Sequence, residues 1–514
     1  MTHDDAFLEA IREQPDDDTP RLIYADWLEE HGQPERAEFI RVQCECARLP
    51  EGSPRWWELV DREVVLWATH ESARLGSWAN VVERCWFQRG FLESVSLDAK
   101  RFLAEGAELL RLGPIRKVSL LDPYDVIHSL AASPHLDTCV TLDLSGNDLE
   151  PNAGYLGPEE VAILSNSPYL TRLTGLNLSS NSLGVDGAAV LRSALFFARL
   201  RTLDLASTGL GATGVEYLVA ELPATVALTE LRLDMNNLGA AGVQALTSGP
   251  SIYRGLTRLS LKRINAPAAG MRALASAKGR LEELYLDSNP LGDEGVETLA
   301  SSANLEHLTV LGLGATRLGS ASAVALAHSP HLRRLTRLDL SGNHLGMRGA
   351  VALAASPNLA HLTFLDLSGS EIGDEGAKAL AASPYLQKLT TLRLSGNGLR
   401  AWGVRELVLS PYLTNLHSLD LHGNSLGDQG AQVIARWSRL TQLTELDLHN
   451  NRIGDIGLKE LAQSPHLQCL RDLDLNNNDI TAKGAAVLKG DGLPNCLVSL
   501  ALSNTERYDL DEYD

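Results

Sequence analysis

The chain has 514 residues, 44% of them hydrophobic, with a mean hydropathy of −0.07 and a net charge of −20. No apolar run approaches the roughly 18 residues of a membrane span, and the acidic opening MTHDDAFLEA has no secretory apolar core. So acidic a surface is a poor match for nucleic acid, and six cysteines are too few for a disulfide scaffold. A folded cytoplasmic protein is expected, with neither nucleic acid nor membrane as partner.

In chain order, TPRLIYADWLEEHGQPERAEFIRVQ reads as two helices split by HGQP. Thr19 is the expected cap of the first, with Pro20 behind it, and Pro34 opens the second. A third helix is expected from Ser53–Pro54, carrying Trp56, Trp57 and Trp67. Cys44 and Cys46 point to different sides of a helix and make no metal pair. The segments DDDTPRLIYADWLEEHG and AEFIRVQ resemble a short repeat-companion domain that precedes leucine-rich arrays in some bacteria with large genomes. That resemblance implies context rather than chemistry. Residues 1–86 are expected to form this helical companion domain and to cover the open end of a repeat array. Residues 87–136, with FQRGFLESVSLDAKRFL and IRKVSLLDPYDVIHSL, read as degenerate first repeats.

From Leu142 a template L-x-x-L-x-L-x-x-N-x-L recurs fourteen times, ending at Leu500/Leu502. From Leu284 the step is always 27 residues, which is the leucine-rich repeat signature. Each L-x-L is a short strand with both leucines on one face, and all strands run the same way. Asn147, Asn181, Asn236, Asn289, Asn343, Asn397, Asn424, Asn451 and Asn478 form a column suited to bonding neighbouring backbone. Thr208, Thr316, Ser370 and Thr505 are partial substitutes; Ile264 is not, so a distorted repeat is expected there. In GDEGAKALAASPYL, Asp374 is the expected N-cap of its helix, with Asp293, Asp428 and Asp455 at the same position. Ala377, Leu380 and Ala381 share its buried face and SP ends it.

Strands stack at about 4.8 Å and helices need roughly 10 Å, so the array must curve with its sheet inside. The expected fold class is α/β: a leucine-rich repeat solenoid, or horseshoe, with a parallel concave sheet and convex helices. The solenoid spans 137–505, follows a small helical N-terminal domain, and ends in an acidic tail, 506–514. With LxxLxLxxNxLGxxG and a true helix per repeat, it resembles the ribonuclease-inhibitor type.

The three x positions of x-L-x-L-x face the concave surface and can specify a ligand. Together they hold thirteen carboxylates and five Lys/Arg. Half of the middle column is Asp, a ladder that repels itself and is read as a copied consensus. Candidate partner-binding residues fall in three groups. Arg232, Arg258, Lys262, Tyr285 and Asp287 mix charge with an aromatic, as protein-binding hot spots do. Phe364 is read as an exposed aromatic, with Arg393 in the strand beyond it. Asp420, His422, Asp447, His449 and Asp474 form the most acidic quarter, suited to a basic protein partner. Although His422 and His449 have metal-ligating chemistry, a flat sheet supplies no third ligand, so no metal or cofactor is expected. Cys469 and Cys496 precede equivalent leucines within disulfide range, but free thiols are expected in a reducing compartment.

No phosphate-binding loop, H-E-x-x-H or G-x-S-x-G motif occurs. The expected function is a non-enzymatic scaffold that recognises a protein through its concave face. Three alternatives stand beside it. One is a regulator of an enzyme, either an inhibitor covering a basic active site or a GTPase activator. Another is an enzyme within residues 1–110 using Cys44, Cys46 or Cys85, and the last is a structural spacer.

Overall fold

The computed structural model describes residues 3–50, 54–68, 78, 81–146, 154–220, 226–249, 252–439, 442–485 and 499–501. Asn147, Cys496, Thr505 and the acidic tail lie outside the described residues. The chain divides into two compact units, Met1–Leu231 and Arg232–Asp514.

The first unit opens with four helices, α1 (His3–Glu13), α2 (Thr19–Glu30), α3 (Pro34–Cys46) and α4 (Pro54–Leu66). Pro34 starts α3 as its spacing predicts. Thr19 does not cap α2: it is already helical, and its N–H donates to Asp17 Oδ1 at 2.8 Å. Asp17 therefore supplies the acceptor, and that bond holds its carboxyl below the usual range. Ile11, Tyr24, Leu28, Ile40 and Cys44 form the core with Phe91, which belongs to the next element.

That element is an antiparallel hairpin of β1 (Arg84–Gln88) and β2 (Phe91–Asp98). At its turn, a Cβ on Gly90 would lie 2.5 Å from Ile40 Cγ1, so only glycine lets the hairpin seat against α3. Arg21 of α2 is fully buried and pairs with Glu93 of β2. Removing one partner of such a pair costs about 3–5 kcal/mol, because the other charge is stranded. The hairpin then feeds a parallel ladder through β3 (Lys117–Leu121), β4 (Thr141–Asp143), β5 (Gly175–Asn177) and β6 (Thr202–Asp204). A further strand, β7 (Glu230–Arg232), spans the division between the units.

In the second unit ten strands pair in sequence order, all parallel. They are β8 (Arg258–Ser260), β9 (Glu283–Tyr285), β10 (Val310–Gly312), β11 (Arg337–Asp339) and β12 (Phe364–Asp366). The series continues with β13 (Thr391–Arg393), β14 (Ser418–Asp420), β15 (Glu445–Asp447), β16 (Asp472–Asp474) and β17 (Ser499–Ala501). Each described repeat returns through a helix, such as Gly346–Ala354 or Gly373–Ala381, which buries Ala377, Leu380 and Ala381 as expected. Both leucines of the template are sealed, with Leu338 and Leu340 at 0% exposure. Each contributes about 1.5–3 kcal/mol of apolar burial.

Polar ladders tie the repeats together. The Asn343 amide donates to the Leu313 carbonyl one repeat back at 2.9 Å, and its oxygen accepts from Thr316 and Leu318 N–H. Asn289, Asn397 and Asn478 repeat the pattern. Thr316 and Ser370 replace only the donor half. The Ile264 repeat is not distorted, contrary to expectation. Its strand keeps register with β9, the Ile264 side chain is buried, and its N–H reaches Asn289. A second ladder lies at the helix ends, where the Ser of SPxL donates to the alanine carbonyl ending the previous helix. Ser356 to Ala327 and Ser383 to Ala354 both measure 2.5 Å.

The aspartates expected to cap their own helices cap the next ones instead. Asp374 sits inside Gly373–Ala381, whose start has no side-chain cap. Its Oδ1 accepts from Arg400 and Gly403 N–H, at the start of the following helix. Asp428 serves Gly454 and Gly457, Asp455 serves Thr481, and Asp293 serves Gly319 and Ser322. Most described helix starts follow this supply, the exception being Ala268–Ser276, whose N-cap Pro267 is extended although Ala240 holds the position in the preceding repeat. After Asp293, Asp374 and Asp428 the next helix has an extended N-cap, at Gly319, Arg400 and Gly454. After Ala268, Ser320, Met347 and Ala401 it begins at a glycine with φ near +60°, namely Gly292, Gly346, Gly373 and Gly427. Those glycines instead send their N–H to backbone carbonyls of the following repeat.

Candidate functional site

Away from the helices, the sheet exposes the three variable columns. The Asp column is not merely copied. The Oδ1 atoms of Asp339, Asp366, Asp420, Asp447 and Asp474 accept the N–H two residues on, at 2.8–2.9 Å. The carboxylate satisfies backbone where the strand ends, a local role that explains the repetition. At two positions where the column lacks Asp, Ser260 and Gly312, a neighbour substitutes: Asp234 bonds Lys262 N–H and Asp287 bonds Gly314 N–H. Self-repulsion is present as well. Burial, then the charges of Asp366 and Asp287, push the Asp339 carboxyl up, and burial and Asp447 do the same to Asp420.

The candidate residues gather into clusters. On β8 and β9, Arg258 and Lys262 lie over the Tyr285 ring, 5.4 and 4.9 Å from its centroid. Arg258 pairs with Glu283 at 3.2 Å and Lys262 with Asp287 at 3.1 Å. Tyr285 donates to Glu283 at 2.8 Å, and burial first, then that carboxylate, raises its phenol. Tyr285 and Asp287 lean over the neighbouring strand because it carries glycine. A Cβ at Gly312 would sit 2.8 Å from Asp287 Oδ2 and 3.2 Å from Tyr285 Cδ1. Arg232 lies 3.6 Å from Asp234.

Phe364 is not exposed. It is half-buried between the guanidinium groups of Arg337, at 4.0 Å, and Arg393, at 5.3 Å. Arg393 also faces Asp366 at 3.7 Å. The sequence reading did not single out Arg337, although its place one strand before Phe364 in the same column was available as a signal.

The acidic group lines a depression of about 360 Å³. Asp420, Glu445, Asp447, Asp472 and Asp474 supply carboxylates, and among the described residues Arg393 is its only cation. Beside it the His422 and His449 rings lie 4.4 Å apart. His449 Nδ1 is 3.9 Å from Asp474 Oδ1, while Asn477 meets its other nitrogen at 3.0 Å. Among the described residues no group of three or more His, Cys, Asp or Glu side chains is arranged to hold a metal ion. The thiols raised as nucleophiles sit in unsuitable places. Burial pushes Cys44 up to about 11 and also raises Cys46 and Cys85, so thiolate is scarce at neutral pH. Cys469 is free and exposed.

These features define a solenoid of parallel strand–helix repeats. The sequence pattern described as "Leucine Rich repeat" matches at 200–219, 228–246, 281–300, 329–354, 358–381 and 466–489, and "Leucine Rich repeats (2 copies)" at 414–460. The chain carries leucine-rich repeats.

No curated relative matches it. Among solved structures, the internalin inlF of Listeria monocytogenes is 21% identical, with a TM-score of 0.40, covering 66% of this chain and 83% of its own. The TLR13–ssRNA13 complex is 21% identical with a TM-score of 0.42, covering 76% and 48%. Internalin C2 of Listeria monocytogenes is 24% identical with a TM-score of 0.31, covering 46% and 84%. Nothing about ligand or partner follows from likeness at this level. No helix among the described residues is long and apolar enough to cross a membrane.

Proposed function

We propose that the chain is a non-enzymatic scaffold that binds a partner protein through the open, concave face of its sheet. A basic segment of the partner lies over β14–β16. The carrying observation is the depression there, with five carboxylates facing one arginine. Lys and Arg side chains are the complement of such a surface, and they steer encounter as well as fixing register. The cation–aromatic clusters at Tyr285 and Phe364 offer a second, mixed contact area on the same face. In this reading the array is of the ribonuclease-inhibitor type and works in the cytoplasm. Residues 1–86 act as its companion and capping domain, and neither cofactor nor nucleic acid takes part.

The test compares the intact chain with a Glu445→Lys, Asp472→Lys double variant in pull-downs from native lysate, with circular dichroism confirming the fold. Both side chains are exposed on the first variable column. A partner held by the intact chain at low salt and lost from the variant supports the reading. Identical partner sets refute it.

A further inference from the structure

The first unit carries a feature of opposite sign to the rest of this acidic chain. A cavity of about 230 Å³ opens where the strands β2–β4 begin, beside the loop between α1 and α2. Arg89, Arg116 and Lys117 line it, together with Asp16 and Glu93. It is several times the ~30 Å³ share of one water molecule.

The carboxylates there do not cancel the cations. Glu93 is already committed to Arg21, which is buried behind it. Burial pushes the Glu93 carboxyl up, against the opposing charges of Arg21 first and then of Arg116 and Arg89. Asp16 is 91% exposed and stands 3.7 Å from Arg116, too far for a hydrogen bond. Solvent screens most of so exposed a pairing. Arg89 donates to the Asp16 carbonyl at 3.0 Å and stands 3.4 Å from Asp18, which Arg48 already holds at 2.6 Å. Lys117 is exposed and has no ion pair among the described residues. Arg89 takes a left-handed φ of 51° at a turn where Asn, Asp or Gly is the usual choice. Its side chain is 25% exposed and that of Arg116 is 28%, so both guanidinium groups work in a partly desolvated place. Two planar forks and an ammonium around one small cavity suit a doubly charged group with several acceptor oxygens better than a single carboxylate.

We propose that this pocket binds a phosphoryl group, presented by a phosphorylated side chain of a protein or as free phosphate. The inference is independent of the face formed by β14–β16. The probes are inorganic phosphate, a short phosphoserine peptide and its unphosphorylated twin, each titrated calorimetrically into the full chain at constant ionic strength. Saturable 1:1 binding of a phosphorylated probe is expected, weakened about tenfold by Lys117→Gln, which removes one charged contact. Arg116→Gln combined with Lys117→Gln is expected to abolish it, while Lys100→Gln, on a separate helix, leaves it unchanged. Lys117 has no described partner to lose, so its variant is expected to fold normally. Binding of the phosphopeptide alone assigns the pocket to a modified protein, and binding of inorganic phosphate alone assigns it to the free ion. Absence of saturable binding by either phosphorylated probe up to ~10 mM would overturn the proposal. So would equal binding of the two peptides, or a double variant that binds as the intact chain does.

Discussion

Capping of a helix by an aspartate of the preceding repeat predicts that Asp428→Ala loosens a helix to which Asp428 does not belong. Asp428 Oδ1 accepts from Gly454 N–H at 2.7 Å and Gly457 N–H at 2.8 Å, the opening of Asp455–Ala462. Loss of an N-cap acceptor costs about 1 kcal/mol, up to ~2. Asp428 also lies in the first turn of its own helix, Gly427–Ala435, where a carboxylate adds about 0.3–1 kcal/mol with the helix dipole. The larger loss therefore belongs to the neighbour. Repeat arrays do not unfold as one two-state unit, so a global midpoint would blur it. Hydrogen exchange read peptide by peptide resolves it. The amides opening Asp455–Ala462 are expected to exchange about 5–30 times faster, those of Gly427–Ala435 less so, and those of Gly346–Ala354 unchanged. Gly457→Ala should reproduce the effect, since its Cβ would lie 2.8 Å from the same oxygen. Unchanged protection at 454–462, or loss confined to 427–435, would refute capping from the preceding repeat.

The converse change, Met347→Asp, places a carboxylate where the helix Gly373–Ala381 lacks one, and slower exchange at its first turn is expected. Asn343→Ala strips partners from buried backbone groups at Leu313, Thr316 and Leu318, and should cost about 3 kcal/mol or more in local opening energy. Asn343→Thr, which keeps a donor as Thr316 does, should cost less. Asp293 and Asp455 have depressed carboxyl values, chiefly from hydrogen bonds to the next helix start. Their stabilisation is full above the unfolded value of about 3.9 and is lost as pH falls through the lower folded value, so acid should open those helix starts first. Asp339 and Asp420 are raised and act in the opposite sense, so Asp420→Asn should increase protection of β14 at neutral pH while keeping the acceptor for His422 N–H.

Periodicity in the sequence revealed what is repeated, and missed what one repeat does to the next. The leucine pairs, the Asn column and the return helices are legible because each is fixed by spacing within a repeat. Asp374 was misassigned because the spacing that puts it at a helix start also puts it one repeat-width from the next. Only the stacking shows which backbone it reaches. Ile264 was expected to distort its repeat, yet Asn289 supplies its N–H from the other side, so one missing amide breaks one rung. Phe364 looked exposed because its cover comes from Arg337 and Arg393, one strand to either side.

The same stacking bears on how the candidate surface must be probed. In Asp420, Asp447 and Asp474 one carboxylate oxygen is occupied by the N–H two residues on, and no described residue donates a hydrogen bond to the other. One side chain thus serves the fold through Oδ1 and has Oδ2 for a partner. Replacing these residues by alanine would remove both functions, and lost binding would say nothing about which mattered. Asparagine keeps the acceptor and deletes the charge, so it separates them. Glu445 and Asp472 are cleaner still, because each adds charge to the depression from an exposed strand position outside the Oδ1 ladder. If recognition is electrostatic, Glu445→Lys and Asp472→Lys should weaken binding while protection of β15 and β16 stays unchanged. If binding falls only with variants that also lose that protection, the acidic face is scaffold, and the partner contacts the chain elsewhere.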